Sequence, residues 1–236
     1  MSDKPYTTLF MLISLDGKIS TGITDNFDVD KDFPKITGVK EGLYQYYELE
    51  QNTDLFSLNS GKVLCKVGAN LIKTQINKLP VSYLIIDNKP HLNDIGVDNY
   101  LKKSEKLFII TTNQEHPAFK RKNEKNLELI FYNKKIDFKN LFFKLKNTYK
   151  IEKLTIQTGG TLNAIFLREK LIDKISVVMA PILIGGGKTA SLIDGNDNQE
   201  FNDLFNLKAL KLLNIRQLDN SYIHLEYEVL NDTKIE

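Results

Sequence analysis

Chemistry in this chain is most plausible where glycines or small polar residues follow apolar runs. In Thr158-Gly159-Gly160-Thr161-Leu162-Asn163 a bare backbone leads into a helical pattern. Glycines let the main chain approach a ligand closely, and the amides at a helix start, with the helix dipole, favour an anion such as a diphosphate. Three or four hydrogen bonds to a charged group, at roughly 1.5–3 kcal/mol each, would supply much of the ~8 kcal/mol behind micromolar binding. A plain tight turn entering a helix fits the same residues. The segment is not Gly-x-Gly-x-x-Gly, so it does not imply a Rossmann fold. Gly185, Gly186 and Gly187 follow Ala180-Pro181-Ile182-Leu183-Ile184 and read as a ligand-facing or merely flexible loop.

Ser14-Leu15-Asp16-Gly17-Lys18 directly follows the first apolar run. In an extended segment Ser14, Asp16 and Lys18 share one side. A hydroxyl, a carboxylate and an ammonium there suit a polar substrate, and an Asp-Gly turn with solvated ends is the alternative. Gly68, Ala69 and Asn70 follow Val67, and Thr111 and Thr112 close another apolar run. Small residues and hydroxyls at strand ends fit the rule that ligands of open α/β sheets bind there, although turn and capping duties explain them equally.

Other chemistries lack their residues. His91, His116 and His224 are scattered, and no Cys/His cluster has metal spacing. Neither a phosphate loop with its Gly-Lys-Ser/Thr nor a Gly-x-Ser-x-Gly nucleophile turn is present. Cys65, the one cysteine, reads as a small core residue and fits a reducing, cytoplasmic compartment. Net charge is +2, so no strong field draws nucleic acid. No run reaches the ~18 apolar residues of a membrane span.

The elements that must position these groups follow from the apolar pattern. Strands are expected at 6–13, 62–67, 83–87, 106–112, 127–132, 154–158 and 175–179, several of them continuously apolar as in strands covered on both faces. Phe138, Leu141, Phe142 and Leu145 follow a one-faced helical spacing, and 42–53 and 161–170 are further helices. Alternating strands and helices predict an α/β fold with a largely parallel sheet. At the tail, 207–218 and 222–230 flank Asp219-Asn220, a hairpin signal. Residues 185–206 read as a long loop. No linker divides the 236 residues, so one domain is expected, with its core at about 5–230.

Taken in order, the motifs resemble the reductase domain of bacterial riboflavin-biosynthesis deaminase/reductases. The resemblance runs through Pro5-Tyr6-Thr7-Thr8 to Met11 and Ser14-Leu15-Asp16-Gly17-Lys18-Ile19. It continues in Val63-Leu64-Cys65-Lys66-Val67-Gly68-Ala69-Asn70 and is densest from Gln157 to Gly187. It implies a dihydrofolate-reductase-like fold, a homodimer and NADPH as hydride donor. Cofactor contacts are implied at Gly68, Ala69, Asn70, Thr111, Thr112, Thr158, Gly159, Gly160, Thr161, Leu162, Gly185, Gly186 and Gly187. The substrate is implied near Ser14, Asp16 and Lys18, with Asp16 the leading acid/base candidate. Replacing Asp16 by Asn is then expected to lower turnover more than NADPH affinity. Lys66, Lys73, Thr111 and Thr112 are candidates for the cofactor's 2′-phosphate.

The family's reaction reduces the ribosyl group of a pyrimidine ribosylamine 5′-phosphate, as in a 5-amino-6-(5-phosphoribosylamino)uracil reductase. This chain departs from the pattern in its substrate segment. It has no Trp, no Arg within 21–53, an acidic stretch from Asp25 to Asp32, and Thr158 where the family carries Glu. Tyr44, Tyr46, Tyr47, Glu48 and Glu50 follow, and Glu48 or Glu50 would suit a cationic or amine-bearing ring. A pterin-type reductase and a non-catalytic dimeric NADPH-binding module are the competing readings.

Overall fold

The computed structural model describes residues 3–235. In chain order the elements are β1 (Tyr6–Ser14), α1 (Val29–Asp32), α2 (Tyr44–Glu50), β2 (Phe56–Ser60), α3 (Gly61–Lys66), β3 (Ser82–Ile86) and α4 (Asp94–Lys103). They continue with β4 (Leu107–Thr111), β5 (Leu127–Phe131), α5 (Phe138–Asn147), β6 (Lys153–Gln157), α6 (Gly160–Arg168), β7 (Lys174–Ala180), β8 (Ala209–Gln217) and β9 (Ile223–Leu230). The chain forms two compact units, one of Asp54–Thr158 with the residues up to Pro5, the other of Tyr6–Thr53 with Gly159 onward.

In the first unit β5, β4, β3, β2 and β6 lie side by side, all parallel. β4, Leu-Phe-Ile-Ile-Thr, is buried at every residue, which is why its sequence does not alternate. α3 and α4 bring Leu64, Val97 and Tyr100 against Ile85, Leu107 and Ile109. α5 buries Phe138, Leu141, Phe142 and Leu145, the stripe its spacing predicts.

In the second unit β1 pairs parallel with β7, and β7, β9 and β8 continue antiparallel. The α1–α2 region covers this sheet. Val29, Phe33, Val39, Leu43 and Tyr46 pack with Phe10, Leu12, Val178, Ala180 and Tyr222, and the Phe10 and Tyr46 rings stack at 5.2 Å. The expected α/β class, with mostly parallel strands and a C-terminal antiparallel hairpin, is the one observed.

Three local expectations are corrected. Residues 62–67 are not a strand but most of α3, whose start is capped by the Ser60 side chain accepting from the Val63 amide. The strand lies just before, at β2, hidden in the sequence by Ser57, Asn59 and Ser60. These polar residues are buried because they bond one another and their neighbours: Asn59 Nδ2 donates to Ser57 Oγ, and Ser57 Oγ to Gln157 Oε1. The hairpin turn is longer than Asp219-Asn220. Asn220 and Ser221 both take left-handed backbone (φ 54° and 64°), and Tyr222 is buried with its hydroxyl donating to the Val39 carbonyl at 2.8 Å. The helix expected at 42–53 is shorter, Tyr44–Glu50, and α4 was not anticipated.

Candidate functional site

The C-terminal ends of β1 and β7 carry the densest polar construction of the second unit. β1 stops at Ser14 because the chain turns there: the Ser14 amide donates to the Lys18 carbonyl and the Gly17 amide to Ser14. Gly17 takes φ +75°, open to glycine. The Ser-Asp-Lys triplet is therefore a turn and not an extended segment, and its side chains part. Ser14 Oγ donates to Asp16 Oδ1 at 2.5 Å and accepts from the Lys18 amide at 2.9 Å. The exposed Asp16 carboxylate accepts from the amides of Ile184 (3.1 Å) and Gly185 (2.6 Å). The Ser14 hydroxyl, then those two amides, hold its carboxyl down at about 2. Asp16 is thus an anion at neutral pH, a fixed acceptor that shapes the glycine loop and not a proton donor. Lys18 turns away: its Nζ donates to the Thr189 carbonyl and to Ser191 Oγ, both at 3.0 Å.

The glycine loop is left-handed at Gly185 and Gly186 (φ +72° and +82°), and a Cβ at Gly185 or Gly187 would meet nothing within 4 Å, so space beside this loop is open. Gly160 differs. A Cβ there would lie 2.3 Å from the Ser191 carbonyl oxygen and 2.4 Å from Asp194 Oδ2, so its missing side chain makes room for the chain's own 191–194 segment. The Asp194 amide donates to the Gly160 carbonyl, and Asn163 Nδ2 to the Leu192 carbonyl at 2.9 Å. Gly159 is the N-cap of α6, Thr161 is exposed, Leu162 half-buried and Thr158 fully buried. Residues 189–194 thereby tie the start of α6 to the turn that carries Lys18.

α1 and α2 supply the carboxylates. Glu48 is exposed and Glu50 half-buried. The acid most enclosed in this region is Asp28, the buried N-cap of α1, whose side chain accepts from the Asp30 amide. Asp30 on α1 is half-buried, and its Oδ1 accepts from the Tyr47 hydroxyl at 3.0 Å. Burial pushes the Asp30 carboxyl up, and burial with the facing Asp30 charge pushes the Tyr47 hydroxyl up. Asp25–Asp32 was legible as acidic, but which acid would be enclosed was not.

In the first unit the ends of β3 and β4 hold a network that sequence reading missed. Asp87, 1% exposed, accepts from four donors: the His91 amide (3.1 Å), His91 Nδ1 (2.8 Å), the Leu92 amide (3.0 Å) and His116 Nε2 (3.1 Å). The Ala118 amide donates to His116 Nδ1, which leaves the proton on Nε2 for Asp87. Burial raises the Asp87 carboxyl, but the bonds from His116, Leu92 and His91 outweigh it and hold it below the ordinary carboxylate value. His91 and His116 are scattered only along the chain. Gly61 completes the network, since a Cβ there would fall 2.3 Å from Asp87 Cγ.

Thr111 does end β4, yet its hydroxyl donates to the Asp87 carbonyl at 2.8 Å and accepts from the Asn113 amide. The Thr112 amide donates to Asn88 Oδ1. Gly68, Ala69 and Asn70 follow a helix, so the strand-end basis for reading them as ligand contacts is gone. Asn70 donates to the His91 carbonyl and accepts from the Asn93 amide. Cys65, read as a strand residue, is half-buried on α3, where its sulfur accepts from Asn70 Nδ2 at 3.3 Å. Among the described residues no His, Cys, Asp and Glu group is arranged to hold a metal ion, and no helix is long and apolar enough to cross a membrane.

Residues 5–224 match the model of the RibD C-terminal domain family. The 2,5-diamino-6-ribosylamino-4(3H)-pyrimidinone 5′-phosphate reductase of Methanothermobacter thermautotrophicus is 24% identical over 214 residues, covering 87% of this chain and 91% of that protein. The reductase of the same name from Aquifex aeolicus is 23% identical over 241 residues, covering 97% and 98%. Among solved structures, RibD of Acinetobacter baumannii superposes with a TM-score of 0.67 at 18% identity, over 97% of this chain and 59% of that one. A diaminohydroxyphosphoribosylaminopyrimidine deaminase/5-amino-6-(5-phosphoribosylamino)uracil reductase from Thermotoga maritima gives 0.63 at 15% identity, over 96% and 57%. These structural likenesses show a shared fold, that of the dihydrofolate-reductase-like reductase domains.

Proposed function

The chain belongs to the RibD C-terminal domain family, and from that premise we propose that it is an NADPH-dependent reductase of a ribosylaminopyrimidine 5′-phosphate in riboflavin biosynthesis. The observation that carries the reading is the strand-end surface of the second unit. There Asp16 fixes the Gly185–Gly186 turn through two amides, and the space beside Gly185 and Gly187 is open. An exposed loop with two left-handed glycines can bring main-chain amides close to a diphosphate. The residues present fit such a cofactor at Gly186, Gly187 and Thr161, whereas the Gly185 amide is already given to Asp16. They fit it less at Gly160, whose free side is filled by residues 191–194. NADPH would supply the hydride, and the protein's part is alignment and fixed electrostatics. Ser14 and Asp16 form a rigid acceptor pair, and Lys18 anchors residues 189–191.

Two finer points belong to the same reading. The relatives it resembles are biosynthetic reductases, which favours a cytoplasmic enzyme. A homodimer is supported by β8, the last strand of the second unit's sheet, where Leu210, Leu212, Leu213 and Ile215 are 43–60% exposed. An apolar strand left open in this way invites pairing with another chain, and light scattering that finds a monomer at micromolar concentration refutes it. The reductase reading is tested by titrating NADPH and NADH into the protein and following NADPH oxidation with ribosylaminopyrimidine phosphates. Binding of neither nucleotide to folded protein removes the reading, and equal affinity for both removes the NADPH preference.

A further inference from the structure

β8 is the last strand of the second unit's sheet, and its partner is β9. Every residue of β8 but Asn214 is exposed, so burial does little to hold this strand, and the pairing to β9 must. The register shifts between Leu212 and Asn214. Beyond that shift two side chains reach across. Asn214 Nδ2 donates to Glu226 Oε2 at 3.0 Å, and Arg216 Nη2 donates to Nδ1 of His224, its register partner, at 2.8 Å. His224 is 4% exposed, whereas Arg216 is exposed. The guanidinium thus meets a buried ring from the solvent side.

A guanidinium has donors and no acceptor, and so does a protonated imidazole. The bond therefore exists only while Nδ1 is bare, with the ring's proton on Nε2 facing Ser176 Oγ of β7 at 2.8 Å. The charged groups that bear on the ring are Glu226 on β9, Arg216 on β8 and Lys174 on β7. Glu226 is not free to answer a second proton, because Oε1 pairs with Lys174 Nζ at 2.5 Å and Oε2 holds Asn214. An imidazolium here would set its Nδ1–H against the guanidinium N–H. Arg216 is the partner that gives way, since water can receive its charge. We propose that Arg216 and His224 form a proton-released latch on β8, closed while the ring is neutral and opened when it takes a second proton. Burial disfavours the charged ring and keeps the latch closed at neutral pH. Its folded acid range is the lowered one, so closure is complete above about pH 6.5 and fails as pH falls through the folded value. Opening loosens the strand that bears Leu210, Leu212, Leu213 and Ile215, the apolar surface this unit offers to another chain.

Amide hydrogen exchange of the full chain at pH 7.5 and pH 5 tests this, read as protection factors so that the intrinsic pH dependence of exchange cancels. In the wild type the amides of residues 214–217 should lose about tenfold or more in protection on acidification, well beyond the loss in β1 of the same unit. Arg216→Gln separates a latch from a plain cross-strand contact. Its amide donates to the neutral ring and, turned over, accepts from the protonated one, so protection of β8 should hold across the range. His224→Gln, which cannot titrate, should hold it as well and serves should the first variant not fold. Arg216→Lys, still a donor-only cation, should keep the acid release. Unchanged protection of 214–217 in the wild type, or a loss that folded Arg216→Gln and His224→Gln share in full, overturns the latch. An equal loss in β1 and β8 reports unfolding of the whole unit and overturns it too.

Discussion

The polar groups at the ends of β3 and β4 close on one another, whereas those at the ends of β1 and β7 hold a loop. Asp87 is almost fully buried, with every donor around it supplied by the same unit. Asp16 is exposed, and its donors are a neighbouring hydroxyl and the amides of the glycine turn. Both carboxyls are held below the ordinary range by hydrogen bonds. Burial makes the difference in consequence. A buried anion cannot exchange a lost partner for water, so Asp87 should act mainly on stability and Asp16 mainly on the site.

The sharpest way to break this contrast is Asp87→Ala. It strands donors from His91, Leu92 and His116 in the interior, and at about 1–3 kcal/mol for each unsatisfied group a loss of roughly 3–5 kcal/mol in urea unfolding is expected. A loss below about 1 kcal/mol would mean that water replaces the carboxylate, and the contrast would fail. Gly160→Ala comes next. Alanine is the better helix former by about 1 kcal/mol, but the added Cβ meets a backbone oxygen at 2.3 Å, and overpacking of this kind costs about 1–3 kcal/mol. Net destabilisation is expected, together with loosening of residues 191–194 that hydrogen exchange would register.

Asp16→Asn tests the other side. The variant keeps one acceptor but turns an NH2 toward the second amide, so the Gly185 loop loses part of its anchor. A tenfold weaker NADPH affinity, about 1.4 kcal/mol, is expected with little change in unfolding free energy. This reverses the order that the sequence alone implied, where turnover was to suffer before affinity, because the structure shows Asp16 bonded to the loop. A titration with unchanged affinity and a fallen kcat would restore the first view.

The same contrast explains what was legible. Ser14, Asp16 and Lys18 lie within five residues, and the Gly185–Gly187 run is contiguous, so local chemistry announces them. The Asp87 network joins residues 61, 87, 91 and 116, each unremarkable beside its neighbours. Only strand pairing brings them together. β2 escaped for a related reason, since its polar residues are buried through bonds to one another and to Gln157, which no periodicity reports. The stripe of α5 was read correctly because burial there is purely apolar. Asp30 lies between these cases: its charge was visible in the acidic run, whereas its hydrogen-bond partner, Tyr47, lies seventeen residues on.

The smallest expected effect sharpens the comparison from a third group, which like Asp87 is buried. His224 lies on β9, almost fully buried. Arg216 can only donate, so its contact at 2.8 Å makes Nδ1 an acceptor, and Nε2–H is left to donate to Ser176 Oγ at 2.8 Å. This bonding defines a neutral imidazole, and burial lowers its proton affinity below the ordinary histidine value. The unfolded chain therefore binds the proton more readily than the folded one. The stability contributed by neutral His224 is complete above about pH 6.5 and is lost as pH falls through the lower folded value. Urea midpoints measured from pH 7.5 to 5 should decline for the wild type and decline less for His224→Gln, which keeps a donor and an acceptor but cannot titrate. Parallel declines would show that the proton is taken up elsewhere. Asp87 would not be the source, because its lowered carboxyl is ionised throughout that window.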